Sequence, residues 1–235
     1  MPPAGSGCRR PDGVRASLPL RALIRFKHGL TFSFNSTQTM TTTESKKTSP
    51  GDDLFERHAS LLCPVTLGEI RRRFQLDWLG FHGVAHWARV LENGLNLCCG
   101  VPEARADVVV LFALFHDSCR RNEHRDPEHG ERAALLAESY FEKGRLPVDA
   151  LGLQLLAEAC RGHDQGRVSS DATIGACWDA DRLDLARVGI LPSVRFLSTE
   201  AAKNRDLLER CVNASRSGEF PRRAHWDPVA STQSP

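Results

Sequence analysis

The sequence predicts an all-α domain, on three observations. Apolar residues recur at three- and four-residue spacing through most of the stretch from about residue 52 to residue 216. The one continuous apolar run, residues 108–115, carries on through Leu111, Phe112, Ala113, Leu114 and Phe115 past ordinary strand length, so it reads as a helix buried on all sides. No glycine-rich phosphate loop and no hairpin series interrupts the pattern, which disfavours a doubly wound sheet or a barrel.

The elements follow in order. Leu67, Ile70, Phe74 and Trp78 or Leu79 share a face over residues 67–79, and Thr66 with Glu69 forms a capping box. Val84, Trp87, Val90, Leu91 and Leu95 repeat the spacing over 82–99. The buried run occupies 103–121. A helix over 129–144 starts after Pro127 and stops at Gly144, and another over 147–166 stops near Gly162. The stretch 174–190 reads as a helix holding an acidic turn, and Ser198 caps a last helix over 198–216.

Charge divides the chain. Residues 1–50 hold eight basic side chains against Asp12 and Glu44, whereas residues 51–235 hold 23 basic and 27 acidic. The basic balance belongs to a Ser-, Thr-, Pro- and Gly-rich leader over 1–50 that reads as disordered, with Met40 a candidate alternative start. The helical domain is placed at 55–213, with a flexible tail over 214–235. The mildly acidic body offers no nucleic-acid footprint. Eight scattered cysteines without a CxxC pair or export signal point to reduced thiols and a cytoplasmic protein, and no run of 18 uncharged apolar residues suggests a transmembrane segment.

Against this apolar background, ionisable residues stand where a core is expected. His82 and His86 lie one helical turn apart. His116 and Asp117 end the most hydrophobic helix, where charge is costly unless paired or bound to metal. His129 opens the next helix, His163 follows the end of another, and Asp179 and Asp181 sit in the acidic turn. Mixed imidazole and carboxylate donors of this kind suit one or two divalent ions, with Mn, Fe, Zn, Mg, Ni and Co as candidates. His82, as a core-edge histidine or a group facing substrate, stays open. So does the choice between Asp179 and Asp181.

The stretches HWARV with His86, LFHD with His116 and Asp117, and ACWDADRLDLARVG with Asp181 resemble the HD superfamily of metal-dependent phosphohydrolases. In that family a first His, a consecutive His-Asp pair and a distant Asp gather on facing helices of an all-α bundle. The resemblance spans roughly residues 60–210. It implies His86, His116, Asp117 and Asp181 as metal ligands, with Asp117 the natural bridge between two ions because a carboxylate has an oxygen for each. HGERAA with His129 and CRGHDQG with His163 resemble the two further histidines of dinuclear members. A glycine-tyrosine-proline signature of one cyclic-dinucleotide subgroup is absent.

The loop after the His-Asp pair supplies Arg120 and Arg121 as candidate phosphate contacts, with Arg89 in reserve, and Glu123 or Asp126 to orient a water or a ligand ring. Arg182 and Arg187 are expected to pair with acidic neighbours. His124, His28, His58 and His225 fall outside the constellation, and the cysteines form no nucleophile set. The resemblance implies hydrolysis of a small phosphorylated molecule, a nucleotide or another phosphoester; Asp117 and, from their place in the loop, Arg120, Arg121 and Glu123 are the candidate catalytic residues. Two alternatives are a nucleotide-sensing module without turnover and a dinuclear-iron oxygenase on the same scaffold.

Overall fold

A computed structural model describes residues 49–221. Most of the leader with His28, and the end of the tail with His225, lie outside the described residues. Within them the architecture is all-α: α1 (Pro50–His58), α2 (Pro64–Arg73), α3 (Val84–Gly100), α4 (Ala106–Phe115), α5 (His129–Glu142), α6 (Ala150–Gly162), α7 (Ala172–Arg182) and α8 (Arg205–Ser217). No helix among the described residues is long and apolar enough to cross a membrane.

The bundle is built around α4. Its residues from Val108 to Phe115 are buried without exception, and helices α1, α3, α5, α6 and α7 all contact it. A helix apolar all round has no solvent face, so it must be enclosed on all sides. Polar ends of such a helix lie deep as well, and His116 and Asp117 are therefore delivered to the interior, 0% and 2% exposed. Arg105 and Asp107 anchor the other end, with Arg105 donating to Asp107 and Asp149 at 2.6 Å each.

Several boundaries differ from the sequence expectation, each for a local reason. Helix α1 was not expected. It starts at Pro50 on a reciprocal cap in which Ser49 and Asp52 bond one another's backbone N–H groups. Helix α2 ends at Arg73, because Phe74 turns extended at ψ 126° and the chain folds back through a turn at Asp77. Phe74 and Trp78 still reach the core, packing edge-on against Trp87 with ring centroids 5.2 Å away. Glu69 closes no capping box: its carboxylate accepts the Tyr140 hydroxyl at 2.8 Å and Arg145 at 2.7 Å. Helix α7 starts earlier than expected, on Asp171, which accepts from Thr173 and Ile174. It ends at Arg182 with Asp179 and Asp181 in its last turns, and the rest of the expected helix forms a separate 3₁₀ turn at Leu185–Val188. Helix α8 is capped by Asn204 rather than Ser198, whose hydroxyl instead accepts from the Ser169 N–H.

Candidate metal centre

Five helices bring side chains to one point in the interior. His86 comes from the first turn of α3, His116 and Asp117 follow the last turn of α4, His129 opens α5, and His163 follows the end of α6. Asp181 projects from the last turn of α7. Their side chains converge in two groups. In the first, His86 Nε2 lies 3.0 Å from His116 Nε2, 3.5 Å from Asp117 Oδ2 and 3.3 Å from Asp181 Oδ1. In the second, His129 Nε2 lies 2.8 Å from His163 Nε2 and 3.2 Å from Asp117 Oδ1, with His163 Nε2 at 3.5 Å from the same oxygen. Asp117 thus turns one oxygen to each histidine pair.

The outer nitrogens explain the orientation. His86 Nδ1 faces the Asp184 carboxylate at 2.8 Å, His116 Nδ1 the Phe112 carbonyl at 3.1 Å, and His163 Nδ1 the Cys160 carbonyl at 2.8 Å. His129 Nδ1 bonds the Asp126 carbonyl. An acceptor at Nδ1 keeps the proton there and points the Nε2 lone pair inward. Two facing imidazole lone pairs at 2.8–3.0 Å repel unless a cation lies between them. Four such nitrogens with the buried Asp117 and the partly exposed Asp181 form a donor set that fits a divalent metal ion, and two buried triads, His86–His116–Asp117 and Asp117–His129–His163, could each hold one.

The electrostatics follow from burial. Desolvation disfavours a charged imidazole, yet the carboxylates of Asp117, Asp181 and Asp184 outweigh it at His86 and raise that group to about 9. His116, equally buried and beside His86, is driven down to about 3, chiefly by desolvation. At Asp117 and Asp181 burial works the other way, but the surrounding imidazoles prevail and hold both carboxyls well below the usual range. These carboxylates favour positive charge on the groups they face, whether proton or metal.

Close helix contact sets the second histidine pair. Gly130 lies where a Cβ would come within 2.2 Å of the Cys160 carbonyl oxygen, so only glycine lets α5 approach α6 this closely. His129 and His163 flank that crossing.

All six residues expected as metal ligands are brought together. Asp179 is excluded as a ligand: it accepts the Ser198 and Thr199 N–H groups at 2.7 Å each and the Thr199 hydroxyl at 2.8 Å, so it ties the chain after α7 back onto that helix. The loop residues are split. Arg120 donates from Nε to Asp117 Oδ1 at 2.8 Å and stands at the centre. Arg121 does not; it lines a separate cavity with Arg73 and Arg132, because its backbone N–H is drawn to Asp126 at 2.8 Å. Glu123 bonds His82 Nδ1, so both sit beside the centre rather than in it. Arg89 is committed to Asp184, Nε to Oδ1 at 2.6 Å, and is no phosphate contact. Arg187 does meet an acidic neighbour, its Nη1 lying 3.7 Å from Asp184 Oδ2 and donating to the Asp184 backbone carbonyl at 2.9 Å, whereas Arg182 is taken up by the Phe196 and His163 carbonyls.

Asp184 was missed by sequence reasoning. It stands three residues after Asp181, inside the ADRLD segment, and that helical spacing was the available signal. Four cysteines are core thiols: burial pushes Cys98 and Cys211 up to about 12 and raises Cys160 and Cys177 as well, while Cys99 is exposed.

A cavity of about 370 Å³ opens onto the centre, with Asp117, Asp181 and His163 at its floor and His82, Arg120, Arg182 and Arg187 around it. Compared with protein-family models, curated proteins and solved structures, the chain matches none. The likeness to the HD superfamily therefore stands on the residue pattern alone.

Proposed function

We propose that the chain is an HD-type, divalent-metal-dependent phosphohydrolase acting on a small phosphoester. The single observation that carries this reading is Asp117, whose two carboxylate oxygens face two separate histidine pairs, His86 with His116 and His129 with His163. Such a bridge suits two ions, with Asp181 completing the first set. Ions bound there would supply acidified water and charge neutralisation at phosphoryl oxygens.

The chain's own groups do the rest. Asp184, the Phe112, Cys160 and Asp126 carbonyls hold the four imidazoles in ligand orientation. Arg120 and Arg187, on the cavity wall, attract and orient an anionic phosphate. His82 lies at the cavity wall with Nδ1 on Glu123, leaving Nε2 to hold or pass a proton at the leaving oxygen. Helix α4 and its neighbours exclude bulk water from the floor of the site.

Metal content by inductively coupled plasma spectrometry and a panel of phosphomonoesters, phosphodiesters and nucleotides assayed with Mn test the reading. We expect bound divalent metal and turnover that falls at least a hundredfold in Asp117→Asn. Turnover on no substrate above that of the variant would overturn it. Oxygen consumption by an iron-loaded protein in place of hydrolysis would assign the centre to oxygenase chemistry instead.

A further inference from the structure

Resting on the phosphohydrolase reading, we infer that the substrate is a phosphomonoester of an apolar, uncharged alcohol rather than a nucleotide. The cavity is two-sided. One side carries His82, Arg120 and Asp164; the other is a lip formed by Leu185, Val188, Ile190, Leu191, Pro192 and Phe196. Ile190 is 54% and Leu191 60% exposed, so these side chains do not serve the bundle core.

The lip is built rather than loose. It leaves α7 through the Leu185–Val188 turn, reverses at Gly189 in the left-handed conformation (φ 79°), and is pinned at its far end by Arg182 Nη1 on the Phe196 carbonyl at 2.6 Å. Asp179 then holds Ser198 and Thr199 to the same helix. An apolar segment held open at the mouth of a polar site is placed to cover the apolar part of a bound ligand.

Charge orders the ligand. The cationic Arg120 and Arg187 line the cavity together with the metal donors Asp117, Asp181 and His163, so the phosphate goes to these groups and the alcohol group against the lip. Only one wall is apolar. A diester would force its second substituent onto His82, Arg120 and Asp164, and a base or sugar gains less from covering Leu, Val, Ile and Phe than an alkyl or aryl group does. In the reaction a bond forms from a water oxygen to phosphorus and the bond from phosphorus to the alcohol oxygen breaks. One water proton passes to the departing alkoxide, and the products are the free alcohol and inorganic phosphate.

Mn-loaded full-length protein is assayed with hexyl and naphthyl phosphates, glycerol phosphate and nucleoside monophosphates, and alkyl phosphonates of rising chain length are titrated into it by calorimetry. We expect kcat/KM at least tenfold higher for the apolar esters and phosphonate affinity that rises with chain length. Leu191→Asp and Ile190→Asp, both surface changes, should remove that preference. Equal turnover of all esters, or preference for nucleotides or diesters, overturns the inference and leaves the phosphohydrolase reading standing; turnover of none overturns that reading. A change of oligomeric state in Leu191→Asp without a change of preference would assign the lip to a second copy of the chain, and also overturns the inference.

Discussion

Asp184 Oδ2 lies 2.8 Å from Nδ1 of His86, joining residues 98 positions apart, and both side chains are 1% exposed or less. Arg89 clamps the same carboxylate at 2.6 and 3.1 Å, so the acceptor that orients His86 is itself fixed. Nothing in this arrangement stabilises the fold as cheaply as apolar side chains of the same volume would. Its effect is to set the direction of one nitrogen lone pair.

Asp184→Asn keeps the shape and loses the charge. Divalent metal affinity should fall about 10- to 100-fold, the usual effect of removing such an outer partner, with helix content by circular dichroism unchanged. Calorimetric titration of Mn into the chelated protein checks this; unchanged affinity would mean that His86 is oriented by packing alone.

Two ions require both histidine pairs. His163→Ala should reduce metal content from two ions per chain to one, and Asp117→Asn should lower it further. Metal analysis after gel filtration reads this directly. Chelation should also lower Tm of the native chain, since a ligand at a hundredfold its Kd contributes about 2.7 kcal/mol to stability, and the shift should shrink in Asp117→Asn.

Gly130→Ala tests the α5 and α6 crossing. The new methyl would meet the Cys160 carbonyl oxygen, so the helices must part. We expect a loss of about 1–3 kcal/mol in urea unfolding. Metal binding should weaken as well, because His129 and His163 separate with the helices. A variant equal to the native chain in both would show that the crossing tolerates the displacement.

Asp126 is one of the carboxylates that contribute to the acid limb of stability. Burial would raise its carboxyl, but Arg132 Nη2 at 2.5 Å and the Arg121 N–H at 2.8 Å hold it below its ordinary 3.8. The folded state therefore binds its proton later than the unfolded chain. The stabilisation is fully present above 3.8 and is lost as pH falls through the folded value. Asp126→Asn should cost about 1.5–3 kcal/mol at neutral pH and flatten the decline of stability in acid. Urea melts as a function of pH provide the measurement.

Much of this was legible before any coordinates. The run 108–115 announced a central helix, and a His-Asp pair at its end had to be buried with it. The ambiguity between Asp179 and Asp181 was not resolvable locally. Two residues along a helix are turned by about 200° from one another, so one of the pair must point away from the centre, but the sequence does not say which. The structure turns Asp181 inward and gives Asp179 to Ser198 and Thr199. Arg121 and Arg120 differ in a similar way: adjacent and chemically identical, both line the neighbouring cavity, but only Arg120 also lines the one over the centre.

By itself, the sequence determined the helical class, the central helix and the set of ionisable residues too costly to bury without a partner, because periodicity and burial cost are properties of neighbours along the chain. The partners themselves were decided only by the tertiary structure. Which Asp117 oxygen faces which histidine pair, that Asp184 rather than a nearer carboxylate orients His86, and that an apolar lip opens onto the centre all depend on helix crossings and loop paths. Those bring together groups 30 to 98 residues apart, and no local spacing encodes such contacts.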